Sequence, residues 1–140
     1  MRYIQGTTEF LIQENTAVTL GKFDGVHKGH QKLIHQILDS KENGLQSVVF
    51  TMNPGKKTLL LTEEEQKEIL ARQGVDYVVR CPFIPKISHM RPEEFIDQIL
   101  IKQLHAKQIV VGTDFRFGYQ REGDCELLKK LQKQYGYCLK

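Results

Sequence analysis

The chain has little of what marks several common protein classes. Three cysteines, Cys81, Cys125 and Cys138, are odd in number, far apart and without a Cys-x-x-Cys step. That excludes a disulfide scaffold and the usual zinc-finger spacing, and it fits a reducing compartment. No apolar run approaches the roughly 18 residues needed to cross a bilayer. The opening Met1-Arg2-Tyr3-Ile4-Gln5-Gly6 lacks the apolar segment of a secretion signal. No block of lysine or arginine stands out, and a net charge of +3 is too small to argue for nucleic acid. Internal repeats and low-complexity stretches are missing too. These absences predict a soluble, cytoplasmic domain with no membrane or nucleic-acid partner. Its 140 residues suit one core.

What the chain does have is an alternation of strand and helix patterns. Thr16–Leu20 reads as a strand and Gln31–Leu38 as a helix, stopped by Asn43-Gly44. Gln46–Thr51 is β-branched and apolar, as a buried parallel strand should be. Thr62-Glu63-Glu64-Glu65 is a capping-box pattern, opening a helix that runs through Ala71 and closes at Gly74. Asp76–Arg80 is the third strand. Pro92 suits the first position of a helix in which Phe95, Ile96, Ile99, Leu100 and Leu104 face the sheet. Gln108–Val111 is the fourth strand. Asp124 then caps a helix with Leu127, Leu128 and Leu131 on its apolar face, ending at Gly136. Tyr137–Lys140 begins a fifth strand.

This order predicts an α/β fold, a Rossmann-like parallel five-stranded sheet with helices on both faces. Such sheets bind ligands at the carboxyl ends of their strands, near a topological switch point. Every unusual segment falls at such an end: Gly21–His30, Met52–Lys57, Cys81–Arg91 and Gly112–Gly123.

The first of these segments, Gly-Lys-Phe-Asp-Gly-Val-His-Lys-Gly-His, is the densest in chemistry. A glycine-punctuated turn from strand to helix offers backbone N–H groups and the positive end of a helix dipole to an anion. His27 and His30, three residues apart, share one face of the first helical turn. There they can stabilise charge on a phosphorus under attack. Gly29 between them costs about 1 kcal/mol against alanine, which a close approach of ligand to backbone would explain. No third ligand group accompanies the histidines, so no protein-held metal site is expected. Phe115 and Phe117 offer aromatic walls to a flat ring, or simply core packing.

The stretch Thr19–His30 resembles the first signature of the HxGH nucleotidyltransferase superfamily. More narrowly, it resembles the flavin adenylyltransferase domain of bacterial FAD synthetases, usually joined to a riboflavin kinase domain. Val110-Val111-Gly112-Thr113-Asp114-Phe115-Arg116-Phe117-Gly118, with Gly123-Asp124 beyond, is a second matching stretch, and Pro92-Glu93-Glu94-Phe95 a third. The likeness covers almost the whole chain. It implies a nucleotidyltransferase fold and transfer of AMP from ATP to FMN, giving FAD and pyrophosphate, with Mg²⁺ arriving on ATP. The same resemblance implies that His27 and His30 contact the ATP phosphates, and that Gly21, Phe23, Asp24 and Gly29 shape the ATP cradle. It assigns Asp114, Phe115 and Phe117, with Asn53 and Pro54, to the flavin side. Two other readings are another HxGH transferase, such as a cytidylyltransferase, and a non-catalytic flavin or nucleotide binder.

The sequence departs from the family pattern in two places. Where the family reads close to Phe-Asp-Pro-His-Pro, this chain reads Thr51-Met52-Asn53-Pro54-Gly55-Lys56. Met52 is soft enough to pack on a flavin or adenine ring, but Gly55 cannot replace an imidazole. The family also carries a Ser/Thr-rich segment followed by arginine beyond the fifth strand, whereas this sequence stops at Lys140. The expectation is a single adenylyltransferase domain over residues 1–140, truncated at the C-terminus and without a riboflavin kinase domain. Such a chain should be weakly active or inactive alone.

Overall fold

A computed structural model describes residues 1–21, 28–53 and 63–140; of residues 28–30, 53 and 63 it describes the backbone alone. Among the described residues, six strands form one parallel sheet: β1 (Arg2–Gln5), β2 (Thr16–Gly21), β3 (Gln46–Asn53), β4 (Tyr77–Pro82), β5 (Ala106–Val110) and β6 (Cys138–Leu139). Their spatial order is β1-β4-β3-β2-β5-β6. The helices are α1 (Lys28–Asp39), α2 (Glu63–Gln73), α3 (Pro85–Ser88), α4 (Pro92–Phe95) and α5 (Cys125–Tyr135). α4 runs on into a wider π-helical turn over Ile96–Gln103.

The parallel α/β sheet is the one expected, with six strands in place of five. The additional strand is β1, an edge strand of four residues on which only Tyr3 and Ile4 are half-buried. Its pattern is too short to register as a periodic signal. Pairing in register with β4 (Arg2 opposite Tyr77, Ile4 opposite Val79) holds it in place. Arg80 also donates from Nε to the Tyr3 hydroxyl at 2.8 Å.

Both faces of the sheet are covered, which is why its strands read as continuous apolar runs. Val18, Leu20, Val48, Phe50, Val79 and Ile109 lie on one face, under Phe95, Ile96, Ile99, Leu100 and Leu104 from α4 and its continuation and Leu128 from α5. Ala17, Val49, Val78 and Val110 lie on the other, under Ile34 and Ile37 of α1 and Leu70 of α2. Asp124 caps α5 as expected, its carboxylate accepting from the Leu127 N–H at 3.0 Å. Gly136 closes that helix in the left-handed conformation, at φ 74°. The segment from Phe83 to Met90 holds the short α3 and buries Ile87 and Met90. No described helix is long and apolar enough to cross a membrane.

The connections create the switch point. From β2 the chain moves outward to β3 and β4, then returns to lay β5 along the opposite side of β2. The helices that follow β2 and β5, α1 and α5, pack on opposite faces of the sheet, and a crevice opens between the carboxyl ends of these two strands.

Candidate functional site

The crevice is a cleft of about 580 Å³. Its floor is Leu20 and Gly21 at the end of β2 and Met52 near the end of β3. One wall is α1, through Lys32, Leu33 and Gln36. The facing wall is the segment after β5, through Val111, Gly112, Thr113, Asp114, Phe115 and Arg116, with Arg121 and Lys140 at its edge. Among the described lining residues four side chains are cationic (Lys32, Arg116, Arg121 and Lys140), against a single carboxylate from Asp114. A partly enclosed surface with that balance attracts anions. The first turn of α1 opens at the same rim, and its N–H groups add to this field.

A smaller pocket of about 140 Å³ adjoins the cleft. Met52, Phe83, Ile87, Phe95 and Phe117 give it mostly apolar walls, completed by Ser88, Gly118, Arg116 and Arg121. Met52, Arg116 and Arg121 line both spaces. A third hollow, about 600 Å³, lies between Thr8–Leu11, Lys86–Met90 and Gln103; it shares no residue with the cleft.

Local contacts fix the segment between β5 and α5. The Phe115 N–H donates to the Gly112 carbonyl at 3.1 Å, making a tight turn that presents Asp114 at the cleft mouth. Phe117 and Gly123 exchange backbone hydrogen bonds of 3.1 and 2.8 Å, closing the segment into a loop. The Cys125 thiol donates to the Gly112 carbonyl at 3.3 Å. Burial, followed by the neighbouring Asp124 carboxylate, pushes that thiol's pKa up, so it remains a neutral donor. Arg116 reaches Asp124 at 3.8 Å.

The expected site residues divide into four groups. Gly21, Asp114 and Phe115 meet at the cleft. Phe117 is 2% exposed and lies behind Phe115, the two rings stacked at 5.7 Å and 14°. It also packs against Phe95 at 5.6 Å, so it is at once core and a wall of the smaller pocket. Gly29 and His30 belong to the first turn of α1, described as backbone only, and Asn53 likewise ends β3. Phe23, Asp24, His27 and Pro54 lie outside the described residues. Sequence reasoning did not single out Lys32, Arg121 or Lys140 as site residues. The i, i+4 pair Lys32 and Gln36 was the available signal for α1. Two arginines inside the unusual Gly112–Gly123 segment were the signal for the loop. No described residues form a cluster able to hold a metal ion.

A parallel sheet with a cationic cleft at its switch point is consistent with a nucleotidyltransferase fold. Within that class, the chain belongs to the FAD synthetase family, whose model matches residues 10–140. It is 36% identical over 135 residues to the bifunctional riboflavin kinase/FMN adenylyltransferase of Escherichia coli (strain K12), covering 89% of this chain and 43% of that protein. To the FAD synthetase of Listeria monocytogenes serovar 1/2a it is 34% identical over 128 residues, covering 84% and 52%. A crystal structure from Streptococcus pneumoniae, named as a macrolide-efflux protein, superposes with a TM-score of 0.81 at 26% identity, over 98% of this chain and 47% of that one. The chain thus spans about half the length of these relatives.

Proposed function

We propose that this domain transfers AMP from ATP to FMN, with ATP in the cationic cleft and the flavin ring toward the apolar pocket beside it. The observation that carries the reading is the joining of those two spaces, one suited to a polyphosphate and one to an aromatic ring, in a chain of the FAD synthetase family. A phosphate oxygen of FMN attacks the α-phosphorus of ATP in line. The new P–O bond forms as the bond to the β-phosphate bridging oxygen breaks, and pyrophosphate leaves with that electron pair. No covalent intermediate on the protein is needed, so positioning and charge neutralisation supply the rate. His27 and His30 stabilise charge on the α-phosphate. Gly21, Phe23, Asp24 and Gly29 shape the cradle that lets the phosphates approach the backbone. Asp114, Phe115, Phe117, Asn53 and Pro54 serve the flavin side, Phe117 as a wall of the apolar pocket and Asp114 and Phe115 from the part of the cleft wall that leads to it. Mg²⁺ enters as the ATP complex, and the domain works on soluble small molecules in the cytoplasm.

The test is FAD formation from ATP and FMN, followed chromatographically, with His27→Ala and His30→Ala as variants. Each substitution should lower turnover by about 10²- to 10³-fold, as removal of one charge-stabilising donor does elsewhere. Folding should be little changed in either. Wild-type rates in both variants would overturn the histidine assignment. Product from CTP with a phosphorylated alcohol, and none from ATP with FMN, would identify a cytidylyltransferase. Calorimetric binding of ATP and FMN without product would instead identify a non-catalytic binder.

A further inference from the structure

Arg121 is held in an unusual way. Among the described residues, three non-glycine positions have positive φ, and two of them are consecutive: Gln120 at 54° and Arg121 at 57°. Left-handed backbone is costly for side chains of this kind, and such conformations persist where the surroundings impose them, typically at ligand sites. The loop imposes this one. Tyr119 N–H donates to the Met90 carbonyl at 2.7 Å and Arg121 N–H to the Gly118 carbonyl at 3.0 Å. The result sets Arg121 on the wall shared by the cleft and the apolar pocket.

That wall has a chemical meaning in the proposed reaction, on which this inference rests. With the acceptor's ring in the apolar pocket and the α-phosphorus in the cleft, the acceptor's phosphate must lie between them. Two anions are then brought together at the shared boundary, where a cation is needed. Arg116 borders the same boundary but has the Asp124 carboxylate 3.8 Å away. Among the described residues Arg121 makes no ion pair. We propose that Arg121 is the binding residue for the acceptor's phosphate, and that the loop accepts left-handed backbone in order to place it. Its planar fork of donors suits a phosphate held by two oxygens while a third attacks.

With this role for Arg121 the domain discriminates between FMN and riboflavin, which differ by that phosphate. Arg121→Gly tests it cleanly, because glycine adopts left-handed backbone without strain and removes only the side chain. Binding of FMN and of riboflavin to wild type and variant is measured by flavin fluorescence quenching, with thermal unfolding in parallel. The variant should keep or raise its melting temperature. Its FMN affinity should fall about 10- to 100-fold, the value of a hydrogen-bonded charge, with riboflavin affinity changed less than about twofold. Arg121→Lys should recover part of the loss, keeping the charge without the fork. Equal changes for the two flavins would overturn the inference, as would a loss confined to a non-hydrolysable ATP analogue. If wild type binds neither flavin, the flavin reading of the domain itself fails, a result separable from preserved FMN preference in the variant.

Discussion

Gly123→Ala puts the packing of the β5–α5 loop under direct strain. A Cβ on residue 123 would lie 2.8 Å from Cζ and 2.9 Å from both Cε atoms of Phe117. Those atoms are the end of a ring that has no room to retreat. Phe117 is 2% exposed, stacked on Phe115 on one side and packed against Phe95 on the other. Backbone hydrogen bonds in both directions hold residues 117 and 123 face to face. Relief must come from rotating the ring off its preferred geometry or from opening the loop. Overpacking of this kind costs about 1–3 kcal/mol. For 140 residues, an unfolding entropy of about 2.1 cal/mol/K per residue gives about 0.3 kcal/mol/K in all, so the melting temperature should fall by about 3–10 °C. Differential scanning calorimetry measures the fall, and near-UV circular dichroism should report the displaced rings. Phe117→Leu, which withdraws the ring edge, should cost less in the alanine background than in wild type; a clear non-additivity is expected for residues in contact. An unchanged melting temperature and spectrum in Gly123→Ala would refute the account of this loop as tightly filled.

Two further predictions concern buried polar groups. The Thr19 hydroxyl in β2 is wholly buried with no hydrogen-bond partner among the described residues, and its neighbours across the sheet are Val49 and Val110. Thr19→Val removes that unpaired group at nearly constant shape and should stabilise the domain by about 1 kcal/mol in chemical denaturation; a loss of stability would show that the hydroxyl is satisfied after all. Burial lifts the Cys81 thiol from 9.0 to about 11 and the Tyr137 phenol from 10.0 to about 12, the latter also donating to the Leu128 carbonyl. Both groups are neutral when folded and ionise more easily when unfolded. Their contribution is therefore complete below about pH 9 and is lost as pH rises through 11 and 12. Melting temperatures across pH 8–12 should be flat and then fall steeply, with Tyr137→Phe reducing the upper part of the fall; a flat profile to pH 12 would contradict the assignment.

The sequence made the sheet legible because its interior strands are covered on both sides. Val48, Val49 and Phe50 are apolar in succession for that reason, and no alternation had to be deciphered. Caps were equally legible where one side chain acts locally, as Asp124 does on the Leu127 N–H. β1 was not, because pairing with β4 and the Arg80–Tyr3 hydrogen bond, contacts between residues 75 to 77 apart in sequence, hold it. The π-helical turn escaped for a related cause. The apolar spacing of Ile96, Ile99, Leu100 and Leu104 suits an ordinary helix, and the i→i+5 bond from Leu104 N–H to the Ile99 carbonyl leaves no mark in composition. Of the expected residues, Gly21, Asp114 and Phe115 line the cleft, and each belongs to a stretch whose pattern stood out in the sequence. Lys32, Arg121 and Lys140 did not stand out, because exposed cations look alike until a topology brings α1, the loop after β5 and β6 to one cleft.

The same loop explains why strain can be held where it is. Gly118, at φ 81°, has space for no side chain: a Cβ there would lie 2.8 Å from Pro92 Cγ and 2.9 Å from Pro92 N. Gly123 abuts the Phe117 ring, the Cys125 thiol is tied to Gly112, and Asp124 joins the start of α5 to Arg116. These attachments lie on either side of Gln120 and Arg121 and anchor both ends of the loop to core elements. A loop anchored so closely cannot relax two left-handed residues without giving up packing against Pro92 and Phe117. The energy that keeps Arg121 in place therefore comes from the apolar core beneath α4, and substitutions there should act on the site through the loop rather than through the sheet.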